Sequence, residues 1–244
     1  MSKQNAYQPI RPQMRKFFLL ALLVSATAVI FSSCAAVTGK LATPERIAQL
    51  PEPLRSQLKE LVRQQNAMAA RFTAGTKKML DAYGIIADAI GLKDVAAKLR
   101  AESQALNAGS SLADTRKAIS RSDGLLKEVR SKMSASNNVT AVSKEKFNQG
   151  LRTKNEAYMI EHQIGIEAGI QAVRGIAAMA KASPLDKVML TATLDPLFFF
   201  ARDIPRFQEQ ERKFDEICKQ YAKNRNIVIP TQALPTPKPA NLSF

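Results

Sequence analysis

Tryptophan is absent from this 244-residue chain, histidine occurs once and cysteine twice. A disulfide scaffold needs more thiols than that. A zinc site built from several histidines and cysteines has no ligands to draw on. Catalysis on a histidine base would rest on His162 alone. The phosphate-binding loop, the dinucleotide fingerprint, HExxH, CxxC and GxSxG are all missing. With 10 Gly, 12 Pro and 45% hydrophobic residues, the chain is neither collagen-like nor generically disordered. No period of 20–50 residues repeats, which leaves a solenoid unsupported. No segment alternates with period two between hairpin turns, which argues against sheet. These absences predict no catalytic activity, no cofactor and no metal.

What is present begins at the N-terminus. Residues 1–13 are polar and carry no acid. Arg15 and Lys16 then precede a 15-residue apolar run, residues 17–31, which ends at Ser32-Ser33-Cys34. A spanning helix wants about 20 apolar residues. Cations, a short apolar run and small residues at the break instead describe a secretory signal peptide over 1–33. Met14 would be a natural start, which makes 1–13 either an extended n-region or a misread start.

Ile30-Phe31-Ser32-Ser33-Cys34 resembles the lipobox of bacterial lipoproteins, with Phe31 where that class usually has Leu. The resemblance implies cleavage between Ser33 and Cys34 and a diacylglyceryl thioether on the Cys34 sulfur. It further implies acylation of the new amino group and attachment to a membrane through the acyl chains. Ala35 and Ala36 follow Cys34 in place of an Asp, which by the same analogy favours the outer membrane over the inner. Each buried CH₂ contributes about 0.8 kcal/mol, so two or three chains on one residue hold a domain nearly permanently. The alternatives are an ordinary signal with an incidental Cys, or an uncleaved anchor.

The chain carries 36 Lys+Arg against 21 Asp+Glu, a net of +15. Removing residues 1–33 takes away four cations and no acid, which leaves +11. A basic balance ordinarily suggests nucleic acid, but export argues against it. Anionic lipid, lipopolysaccharide phosphates or peptidoglycan carboxylates are the envelope candidates, against plain solubility from cations spread over helix faces.

The region 44–226 reads as an all-α, elongated bundle of five or six amphipathic helices, after a linker over 34–43. Thr43-Pro44-Glu45 starts a short helix, which Pro51 and Pro53 end. From Leu54, apolar residues at 3-and-4 spacing (Leu58, Leu61, Met68, Phe72, Met79, Tyr83, Ile86) predict a long helix that Gly91 stops. A second helix is expected near 92–107. A third starts at Ser111 with Asp114 as its capping partner. Residues 134–143 form a polar connector, and the Asn138-Val139-Thr140 sequon is read as chance. A long helix over about 143–182 holds Gly165, Gly169 and Gly175, which suit close approach in a tight bundle or, alternatively, in a membrane. Ser183 caps the next piece. Pro205 precedes a last helix near 206–226, and 227–244 is an extended, Pro-rich tail.

The segment 188–200 is the most apolar after residue 34. Its residues Leu194, Leu197, Phe198, Phe199 and Phe200 are either a buried centre or a contact face for membrane or an apolar partner. Asp195 is expected to cap the helix begun by Pro196. Carboxylates are otherwise scattered, with no pair standing out. Cys218 shares a stripe with Phe207, Phe214 and Tyr221, which predicts a small buried thiol. His162 follows Tyr158 by one turn, either as a pH-sensitive partner or as plain surface.

The expected role is that of a lipid-anchored envelope protein that tethers or binds a partner such as peptidoglycan or another envelope protein. One rival is a membrane-active bundle using 188–200. The other is an enzyme with a hidden carboxylate site, whose signature would be a polar pocket with converging acids.

Overall fold

The computed structural model describes residues 47–135 and 140–229. Among them the chain forms six helices and no strand: α1 (Glu52–Ala89), α2 (Lys93–Ala105), α3 (Leu112–Ala135), α4 (Ala141–Ala180), α5 (Pro184–Thr193) and α6 (Asp195–Asn224). Residues 1–33, Cys34, the linker 34–43, the Thr43-Pro44-Glu45 helix start, most of the sequon and the tail from 230 lie outside the described residues.

The protein is an all-α helical bundle. At a 1.5 Å rise per residue, the 40 residues of α4 span about 60 Å. Leu58, Leu61, Met68, Phe72, Tyr83 and Ile86 of the α1 stripe are all buried. Gly91 ends that helix at φ +86°, a left-handed conformation costly for residues with a Cβ. Ser111 and Asp114 bond reciprocally at the start of α3, N–H to side chain at 3.0 and 3.1 Å. The hydroxyls of Thr140 and Ser183 accept from the backbone N–H of Ser143 and Asp186, capping α4 and α5.

Proline and the Asp195 cap depart from expectation. The short helix whose described end is residues 47–48 does stop before Pro51, which is then the N-cap of α1, whereas Pro53 ends nothing and lies in the first turn of α1. There the missing N–H would have had no partner in any case. Pro205 does not precede the last helix but lies inside α6. It removes one ladder bond, while its neighbours Ile204 and Gln208 are buried against the rest of the bundle. The cap of α6 falls on Leu194, with Asp195 as the first helical residue and no side-chain cap.

α1 and α4 run antiparallel: Gln57 bonds the carbonyl of Arg174, Arg71 pairs with Glu167, and Lys78 pairs with Glu156. α6 runs antiparallel to α4 in turn. A Cβ added at Gly175 would lie 3.2 Å from Leu194, and one added at Gly165 would lie 3.1 Å from Ile204. The helical glycines thus seat α6 close against α4. α2 folds back over the end of α1, and α3 lies across α1 and α6.

Apolar side chains gather in two cores. One joins the first half of α1, the second half of α4, α5 and the start of α6. The other joins the rest of α1, α2, the start of α4 and the end of α6. Packing continues past α6, since Ile227 is buried and Ile229 rests against the second core.

Candidate functional site

The apolar segment 188–200 turns inward. Leu194, Leu197, Phe199 and Phe200 are buried, and Phe198 is partly buried against the same core. Phe72 of α1 meets Phe199 and Phe200 edge-on, with centroids 5.9 and 5.5 Å apart. The Arg116 guanidinium of α3 lies 3.6 Å from the Phe199 ring centroid. Of the two readings of these five residues, the buried centre holds and the contact face does not: the break at Leu194 folds α5 and α6 so that these side chains face α1 and α4. Of that segment only its first residue, Val188, is a large exposed apolar side chain; others are exposed at Leu185 of α5 and at Ile166, Ile170 and Val173 of α4.

Cys218 is fully buried, and burial pushes its thiol well above the usual range. His162 stacks on Tyr158 with ring centroids 6.2 Å apart and planes 9° from parallel. Among the described residues, no group of three or more His, Cys, Asp or Glu is placed to hold a metal ion, and no helix is long and apolar enough to cross a membrane.

Polar groups converge where the two cores meet. α1, α3, α4 and α6 enclose a cavity of about 280 Å³. Its deep wall holds Thr76 and Tyr83 of α1 and Glu161 of α4, all buried. Glu211 of α6 and Arg130 of α3 flank it, and the exposed Asp123, Lys127 and Gln210 form the mouth. Leu80, Ile119, Leu126 and Phe207 supply the apolar lining.

The Tyr83 hydroxyl donates to Glu211 Oε1. Glu211 Oε2 is enclosed and unpartnered, as is the Thr76 hydroxyl. No ion pair reaches Glu161 from the described residues. Burial first, and then the neighbouring Glu211, pushes the Glu161 carboxyl up to about 8, while the field of Lys154 opposes the shift. Burial also raises Glu211, against the pull of Lys154 and the Tyr83 hydrogen bond. Beside the cavity, Lys154 and Asp215 form a buried pair.

Sequence reasoning treated the carboxylates as scattered, and this is corrected. Glu161 and Glu211 are 50 positions apart and meet because α4 and α6 are antiparallel. Each carried a signal. Glu161 continues the 3-and-4 spacing of Tyr158, Ile164 and Ala168, and Glu211 that of Phe207, Phe214 and Cys218. An acid on a buried stripe is a desolvated acid. Cys34 and Ser33 lie outside the described residues. Compared with known proteins, the chain matches no family model, no curated protein and no solved structure.

Proposed function

We propose that this is a lipid-anchored cell-envelope protein, held by acyl chains on Cys34, that tethers or binds a partner through its helical faces. The observation that carries the reading is the placement of Cys34 at the end of a charged-then-apolar leader, with twelve residues between it and Ile47, where the described residues begin. Fully extended, those twelve residues reach about 40 Å. The bundle would work close to the leaflet, in the outer membrane on the lipobox analogy.

Ile166, Ile170 and Val173 support the interaction half of the reading. They recur at i, i+4 and i+7 along α4 and are each roughly half exposed. Such a stripe is normally covered. Leu185 and Val188 add to the exposed apolar surface on α5, which packs in the same core as Leu50, at the anchor's end of the chain. Another envelope protein or the peptidoglycan is the expected partner class, rather than nucleic acid.

Growth of producing cells with labelled palmitate tests the anchor. The wild type should incorporate label and Cys34→Ala should not. Equal labelling of both, or of neither, defeats the proposal.

A further inference from the structure

The cavity between the two cores has more hydrogen-bonding capacity than the protein uses. Thr76 is only 3% exposed and its hydroxyl has no partner, and Glu161, only 5% exposed, joins no ion pair among the described residues. Buried polar groups are almost always satisfied, and an orphaned one costs free energy. Three unspent groups therefore line one space: the Thr76 hydroxyl, the Glu161 carboxyl and Glu211 Oε2.

Charge decides what would fill it. Lys154 is matched by Asp215 at 3.2 Å. The field of Arg130 acts on Glu211. Asp123 and Lys127 offset each other at the exposed mouth. Glu161 is the cavity carboxyl that joins no ion pair, so its ionised form is the one that can take a positive charge from a ligand. The Glu161 carboxyl and Glu211 Oε2 are acceptors that call for a donor with several N–H bonds, Arg130 forms the donor side of the same wall, and most of the rest is aliphatic and aromatic. A volume of about 280 Å³ suits a small organic molecule and exceeds what one or two waters need.

We propose that this cavity binds a small amphiphilic amine, its ammonium held by the Glu161 and Glu211 carboxylates and its apolar part laid against Leu80, Ile119, Leu126 and Phe207. Ammonium–carboxylate hydrogen bonds are charge-assisted and strengthen when water is excluded. The site stands apart from the anchoring reading and holds whether or not Cys34 is acylated.

The titratable groups around Glu161 are Tyr83 from α1, Arg130 from α3, Lys154 and Tyr158 on its own helix, and Glu211 from α6, with Asp215 and Cys218 beyond Glu211 and Lys154. Glu161 changes charge near pH 8, and burial raises the neighbouring Glu211 as well. An amine cation selects the ionised carboxyl, so binding should expel a proton below that pH. Affinity should rise about tenfold per pH unit up to about 8 and then level off.

Calorimetric titration of the full chain in detergent with benzylamine, and with benzyl alcohol as the uncharged control, tests this. Benzylamine should bind, benzyl alcohol should bind at least tenfold more weakly, and the amine's affinity should follow the pH course above. Glu161→Gln should lose at least tenfold in amine affinity while remaining folded by circular dichroism, because it replaces a buried acid with a neutral amide. Leu126→Ala, at the lining, should weaken the amine several-fold without changing the pH course. No heat of binding at pH 9, equal affinity for amine and alcohol, or a Glu161→Gln variant that binds like wild type would each overturn the proposal.

Discussion

The Lys154 ammonium lies 3.2 Å from Asp215 Oδ1 in the interior of the bundle, and the lysine side chain has no exposed surface. Asp215 also receives Lys219 at 2.9 Å from the rim, so the acid joins a buried cation to an exposed one. A buried pair of this kind is costly to break from one side, because the survivor keeps its charge without a partner. Asp215→Leu should therefore destabilise the protein by about 3–5 kcal/mol. The double variant Lys154→Met/Asp215→Leu should recover most of that loss. Urea denaturation of the three proteins measures it, and an Asp215→Leu variant as stable as wild type contradicts the pairing.

The Glu161 carboxyl ties stability to pH in a stated direction. Its folded value, about 8, lies above the ordinary value of 4.5, so the folded state holds a proton that the unfolded state releases. Stability should fall as pH rises from 5 to 8, by up to about 1.4 kcal/mol per unit for one proton. Glu60, Asp88, Asp114 and Glu167 are shifted down, so what they contribute is complete above pH 5 and is lost only on acidification. Glu161→Gln should reduce the slope between pH 5 and 8, leaving the part that the likewise raised Glu211 contributes. Urea midpoints at pH 5, 6, 7 and 8 check this, and a wild type that gains stability over that range contradicts it.

Two glycines should respond oppositely to alanine. A Cβ at Gly150 would lie 2.6 Å from Ile86 Cγ1 and 3.1 Å from the Ala82 carbonyl oxygen, where α4 crosses α1. Backbone cannot give way as a flexible side chain can, so Gly150→Ala should cost about 1–3 kcal/mol. Gly124, inside α3, has nothing within 4 Å of its added Cβ. Gly124→Ala should stabilise by up to about 1 kcal/mol, the helix-propensity difference. Thermal melts of both variants read the sign directly.

Cys218 is free, fully buried and held as a neutral thiol by its surroundings. Thiolate is the reactive form. A disulfide reagent at pH 8 should leave Cys218 untouched in the native protein and modify it completely in concentrated denaturant. Rapid native-state labelling of that residue contradicts the packing of α6 described above.

The helices were legible because burial needs apolar residues every three or four positions, and the Tyr83–Ile86 and Phe214–Cys218 stripes supply them. Caps were legible where a side chain makes the bond, as at Ser111 and Ser183, and misread at Asp195, which is itself the first helical residue, so that the cap position falls on Leu194. Proline was read correctly at Pro51, before which the helix at 47–48 stops, and misread at Pro53 and Pro205. Its local penalty depends on position in the helix and is offset at Pro205 by contacts distant in sequence. The cavity was the least legible feature. Glu161 and Glu211 each look like an ordinary polar residue until antiparallel packing brings them to one level. The five apolar residues from Leu194 to Phe200 were consistent with either core or contact face, and only the packing of α1 against them decided for core.

The anchoring account is tested most directly by mass spectrometry of the N-terminal peptide of the protein purified from membranes. The account predicts a peptide beginning at Cys34 that carries a diacylglyceryl thioether and an acylated amino group. A Cys34 with a bare sulfur, or a chain still carrying residues 1–33, would contradict it.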